Sequence, residues 1–99
     1  MTAILYEPGH AARKIPAEDL NPVDFTKAQK GAADLLQCPP AQIDVLASGL
    51  GYMAFSVFDH EGEINLEAMR VLTQLTGISF NVDEEDEVLR GPILIVREA

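Results

Sequence analysis

Tryptophan is absent from these 99 residues, and cysteine occurs once, as Cys38. A lone cysteine excludes an internal disulfide framework and any metal cluster built on several thiolates. It fits a reducing compartment, so a cytoplasmic location is expected. No apolar stretch approaches the roughly 18 residues of a membrane-spanning helix; the longest, at 52–58 and 92–96, are strand-sized. No basic segment followed by an apolar one opens the chain, so no secretory signal is expected. Glycine and proline are sparse, at 7 and 6 residues, while the apolar share is 47%. That balance belongs to a folded domain, not a disordered chain. The length suits one domain over residues 1–99.

Basic residues are the next scarcity, and they are unevenly placed. Up to residue 30, Glu7, Glu18, Asp19 and Asp24 balance Arg13, Lys14, Lys27 and Lys30. From residue 31 onward only Arg70, Arg90 and Arg97 stand against twelve carboxylates, so the whole net charge of -9 lies there. Most of it falls in two runs. The first is Asp59, Glu61, Glu63 and Glu67; the second is Asp83, Glu84, Glu85, Asp86 and Glu87. A field of this sign repels nucleic acid and attracts basic surfaces.

The pattern predicts strands at 2–7 and, more weakly, 11–15, separated by the Pro8-Gly9 turn. A helix follows. Asp19 or Asn21 can cap it, Pro22 suits its first position, and Phe25, Ala28, Ala32, Leu35 and Leu36 form its apolar stripe. Pro39-Pro40 stops it. Ile43, Val45 and Ala47 alternate with polar positions and Leu46 as a half-buried strand. Residues 52–58 are the strongest strand and are expected at the sheet centre. Asp59-His60-Glu61-Gly62 reads as a hairpin turn with Gly62 left-handed. Asn65 caps a helix over Leu66–Thr76, whose stripe is Leu66, Met69, Leu72 and Leu75 with Val71 flanking, and Gly77 ends it. Strands are expected at 78–82 and 93–96, with a charged loop at 83–87. The order β(β)αββαββ predicts an α+β domain: a mixed or mostly antiparallel sheet of about five to six strands, with both helices against one face.

Several motifs occur together in order. They are the strand closed by Pro8-Gly9, the helix ending near Leu35-Leu36-Gln37, the turn Asp59-His60-Glu61-Gly62, the helix-opening Asn65-x-x-Ala68, and the terminal Gly91-Pro92-Ile93-Leu94-Ile95-Val96. In these the chain resembles a family of short uncharacterised domains of bacteriophages, plasmids and other mobile elements. It has Cys38-Pro39-Pro40 where that family usually has a Val-Gly-Gly turn. The resemblance implies a mobile-element setting and no particular activity.

No set of residues has the spacing of a known catalytic or metal-binding motif. Asp59-His60-Glu61 with Glu63 is dense in ligand types but matches no EF-hand, zinc helix or zinc knuckle, and a solvated turn explains it better. Ser48-Gly49-Leu50-Gly51 lacks the lysine of a phosphate-binding loop. His10, His60 and Cys38 form a site only if folding gathers them. Arg13, Lys14, Lys27 and Lys30 are too few, without aromatics, for nucleic-acid binding. The expectation is therefore a non-enzymatic acidic interaction protein without cofactor or metal. It would dock Asp59, Glu61, Glu63, Asp83, Glu84, Glu85, Asp86 and Glu87 on the basic surface of a host protein, as a nucleic-acid mimic and inhibitor. Direct nucleic-acid and membrane binding are not expected. Two alternatives stand beside it. One is a small-ligand module with a pocket at Tyr52, Phe55, Phe58 and His60, where a phosphate ligand would require Arg13, Lys14 or Arg90 in the lining. The other is a homo-oligomeric structural or accessory protein, whose terminal strands at 2–7 and 93–96 pair across a two-fold axis to form a homodimer if either is an edge.

Overall fold

A computed structural model describes residues 2–15, 25–49, 51–58, 60, 62–80, 83 and 88–97. Five strands and two helices follow one another: β1 (Thr2–Tyr6), β2 (Arg13–Ile15), α1 (Phe25–Leu36), a 3₁₀ turn at Pro40–Gln42, β3 (Ile43–Gly49), β4 (Tyr52–Val57), α2 (Leu66–Thr76) and β5 (Ile93–Arg97). The strands form one sheet in the order β2-β1-β5-β4-β3, and every neighbouring pair is antiparallel. The α+β class and the antiparallel sheet agree with the sequence pattern. The expected caps of α1 at Asp19, Asn21 and Pro22, and the side chains of Phe25 and Ala28, lie outside the described residues.

The helices do not share a face. Strand side chains alternate between the two sides of a sheet, and here the two sets pack under different helices. Ala3, Leu5, Met53, Phe55, Leu94 and Val96 meet Ala32, Ala33 and Leu36 of α1. Tyr6, Ala54, Ile93 and Ile95 meet Ala68 and Leu72 of α2. The domain is a helix–sheet–helix sandwich, and the expectation of helices on one side is corrected. The central strand is β5, not β4. Ile93, Leu94, Ile95 and Val96 are all essentially inaccessible, because each face of this strand is covered by a helix.

Three further expectations change. Residues 78–80 form no strand: Ile78 and Ser79 are exposed, while Phe80 packs against the α2-side core from an irregular segment. Asn81 and Val82 lie outside the described residues. In β3 the register shifts between Val45 and Ala47, so Leu46 and Ala47 both pack on the α2 side. This is a β-bulge, in which an extra residue breaks the alternation. In α2 the bounds are those read from Asn65 and Gly77, but Leu66 is exposed and Ala68 takes its place in the buried stripe.

Both terminal strands are interior, since β1 lies between β2 and β5 and β5 is central. They offer no edge for pairing across a two-fold axis. The edges are β2, three residues long and carrying Arg13 and Lys14, and β3, interrupted by its bulge.

Candidate functional site

The ends of β1 and β5, where Tyr6 pairs with Ile93, are joined to α2 by one side chain. Asn65 is 1% exposed. Its Nδ2 donates to the carbonyls of Tyr6 and Gly91, each at 2.8 Å, while its Oδ1 accepts from the Ala68 N–H at 3.2 Å. The Asn65 N–H in turn donates to the Leu89 carbonyl at 2.8 Å. A buried amide pays its desolvation only when it is fully bonded, and this one satisfies two orphan carbonyls and the first turn of α2 together.

Beside this junction lies the His60 ring. The Gly62 N–H donates to its Nδ1 at 2.9 Å, which leaves Nε2 as the protonated nitrogen of the neutral imidazole. Two neighbouring glycines make room for the ring. A Cβ on Gly62 would stand 2.5 Å from Cε1, and one on Gly91 would meet the same ring. Gly91 also has φ +72°, a left-handed conformation that penalises any side chain. Gly62 is not left-handed, and the element that follows β4 is α2 and not a strand, so the expected hairpin with a left-handed Gly62 is corrected; Asp59 and Glu61 lie outside the described residues. The adjoining strand-like contact joins Ile64 to Arg90, and Arg90 Nη1 donates to the Gly62 carbonyl at 3.1 Å.

The end of α1 reaches the same place. The Cys38 N–H donates to the Ala33 carbonyl at 3.1 Å, and Gln37 sits between them at φ 58°. This is a Schellman closure with glutamine in the position that glycine usually fills. Burial pushes the Cys38 thiol above its ordinary range, which keeps it protonated and a poor nucleophile at neutral pH.

These parts enclose a cleft of about 400 Å³ at one end of the sheet. Leu35, Leu36, Pro8 and Pro92 give it apolar walls, and Glu7, His10, Arg13, Gln37, His60 and Glu63 give it polar ones. Arg13 Nη2 lies 3.5 Å from Glu7 Oε1, a loose and exposed ion pair. A smaller hollow of about 250 Å³ adjoins, sharing Glu7, His10 and Arg13. Folding thus brings both histidines to one cleft, while Cys38 is not in its lining.

The pocket expected from Tyr52, Phe55, Phe58 and His60 does not form. Phe55 is buried toward α1, Tyr52 lies in the register that faces α2, and Phe58 is 68% exposed. Only His60 lines the cleft, but Arg13, one of the cations a phosphate ligand would have required, lines it too. Glu7, Gln37 and the Gly91-Pro92 corner were not singled out as site residues in the sequence. The two turn signals, Pro8-Gly9 and Gly91-Pro92, become neighbours only once β1 is paired with β5.

Of the eight acidic positions expected to bind a partner, Glu63 is exposed at the cleft rim and Asp83 is exposed. Asp59, Glu61, Glu84, Glu85, Asp86 and Glu87 lie outside the described residues. Nearby, Arg70 donates through two nitrogens to the Glu67 carboxylate, and that hydrogen bond holds the Glu67 carboxyl below its usual range. Burial, then the Glu67 charge, raises the Tyr6 hydroxyl above its ordinary pKa. Among the described residues no group of three or more His, Cys, Asp or Glu side chains could hold a metal ion, and no helix is long and apolar enough to cross a membrane. Comparisons of the chain with protein-family models, with curated proteins and with solved structures each returned no match.

Proposed function

We propose that the chain is a non-enzymatic, acidic partner-binding protein that docks its α2 side on a basic protein surface. One observation carries this reading. Among the described residues the large exposed hydrophobics are Phe58 (68%), Leu66 (63%) and Ile78 (63%), and each borders α2 or an acidic run. Phe58 and Leu66 bracket the run from Asp59 to Glu63, and Ile78 precedes the run from Asp83 to Glu87. On either side of the second run in sequence, Phe80 and Leu89 pack on the α2-side core. Acidic charge speeds encounter with a basic surface, while a few apolar side chains supply most of the affinity. This is the division of labour expected of a protein that occupies a channel built for nucleic acid. The setting that goes with it is the cytoplasm of a cell carrying a phage or other mobile element, with a nucleic-acid-handling or defence complex as the target.

The test is a pulldown from bacterial lysate with the wild-type chain, with an Asp83→Lys/Glu85→Lys/Glu87→Lys variant, and with Phe58→Ala. The same protein should be recovered by wild type at low salt, lost at high salt and lost with charge reversal. Phe58→Ala should weaken its binding about five- to thirtyfold, the range of an interfacial apolar anchor. Equal recovery by wild type and the charge-reversal variant, unaffected by salt, defeats the reading.

A further inference from the structure

We infer that the cleft between the β1–β2 turn and the end of α1 binds an organic monocation: an ammonium or guanidinium group on a short aliphatic stem. The inference is separate from the docking surface around α2 and shares only Glu63 with it.

Four observations converge. First, the cleft has room for such a group, at about 400 Å³. Second, its charges do not cancel. Arg13 is engaged by Glu7, and Glu63 remains as a second carboxylate at the rim; its backbone carbonyl accepts from the Gly91 N–H, while its carboxylate has no hydrogen bond or ion pair among the described residues. Third, the C-terminal end of α1 opens into it through Leu35, Leu36 and Gln37, and the last turn of α1 contains no basic residue. The carbonyls at a helix C-terminus carry partial negative charge and favour a cation. A lysine or arginine in the last turn can bond these carbonyls; here the Schellman closure answers that of Ala33, and no basic residue lies in the last turn to meet the others. Fourth, the walls are apolar. Leu35, Leu36, Pro8 and Pro92 can cover the stem of an alkyl cation while its head stays among polar groups, the arrangement in which long basic side chains are ordinarily buried.

Two local features show the cleft to be a built structure. The His60 ring packs against Gly62 and Gly91, and its Nδ1 accepts from the Gly62 N–H. Gln37, a lining residue, adopts a left-handed conformation where glycine would be relaxed. Non-glycine residues held in that conformation cluster at binding sites.

The same cation chemistry comes from two sources, a free alkylamine or the lysine or arginine side chain of a protein, and the experiment separates them. Amide chemical shifts of the full chain would be followed during titration with putrescine, with N-acetyl-lysine-N-methylamide and with N-acetyl-arginine-N-methylamide. Butyrate, inorganic phosphate and n-butanol serve as controls, all at 150 mM NaCl. The expected result is saturable shifts at Gln37, Gly62 and Gly91 with at least one cation and none with butanol. Glu63→Gln should weaken that binding about tenfold or more, as loss of a hydrogen bond to a charged group does, with the amide spectrum otherwise retained. Tighter binding of putrescine assigns a free amine; tighter binding of either capped amino acid assigns a protein side chain. Non-saturating shifts spread over the acidic surface, an unchanged affinity in Glu63→Gln, or tighter binding of butyrate or phosphate than of any cation would each overturn the inference.

Discussion

The two faces of the sheet are covered by helices of nearly equal length held in different ways. α2 is fixed at its first turn by a buried amide bonded to β1 and β5, and ends in a left-handed glycine at φ 76° whose N–H reaches the Thr73 carbonyl. Over its described side chains, α1 is held by small residues. Ala32 and Ala33 let the helix approach Ala3, Leu5 and Phe55 closely, and it ends in a left-handed glutamine. The contrast shows how one small domain can hold two surfaces apart. A helix pinned by polar bonds at its start can leave Leu66 and a charged outer face in solvent. A helix held by burial instead offers its end to a cleft.

The largest expected effect lies on the α1 side. Phe55 is fully buried there, and Phe55→Ala should destabilise the fold by about 3–5 kcal/mol in urea unfolding, as cavity-forming aromatic truncations do. That is a large part of the ~5–15 kcal/mol available to a domain. A loss below ~1.5 kcal/mol would mean that α1 closes the gap and that burial does not hold it as described.

On the α2 side, Asn65→Ala should cost about 2–4 kcal/mol, because two buried carbonyls lose their donor and the helix loses its cap. Circular dichroism with urea titration measures it. If Asn65→Ala cost no more than an exposed substitution such as Leu66→Ala, expected within ~0.5 kcal/mol, the pinned-helix account would fail.

Gln37→Gly should stabilise by about 0.5–1 kcal/mol, since glycine relieves the left-handed backbone. The same change should weaken any ligand held by the Gln37 side chain, so a variant that gained stability without losing cleft binding would remove Gln37 from the site.

The smallest effect is at high pH. Tyr6 has a raised pKa in the fold, so the unfolded chain releases the proton first. Its contribution is fully present below the unfolded value near 10 and is lost as pH rises through the folded one. Stability should therefore fall more steeply in wild type than in Tyr6→Phe as pH rises past the unfolded value, as denaturation midpoints would show.

The helix α2 was legible to the residue because Asn65 and Gly77 are chemical start and stop signals. The placement of the helices was harder to see. An amphipathic stripe says that a helix packs, not on which side of a sheet. The clue was in Ile93-Leu94-Ile95-Val96: four consecutive apolar residues in one strand call for cover on both faces, and that requires two layers. The alternation of Ile78, Phe80 and Val82 misled because an irregular segment can drop one aromatic into a core without pairing. Half of the cleft was invisible for a different reason. Glu7, Gln37 and Gly91 are 30 to 84 positions apart in the chain, and only the pairing of β1 with β5 and the C-terminal end of α1 bring them together.

The locked imidazole gives the protein a built-in spectroscopic gauge. An aromatic ring packed against two glycines displaces the resonances of their α-protons by its ring current, and a fixed ring displaces each by a fixed amount. Any guest that tilts His60 changes both signals at once, whereas a guest bound elsewhere leaves them where they were. Occupancy of the cleft can thus be read in the native chain, from two methylene groups, with no label attached.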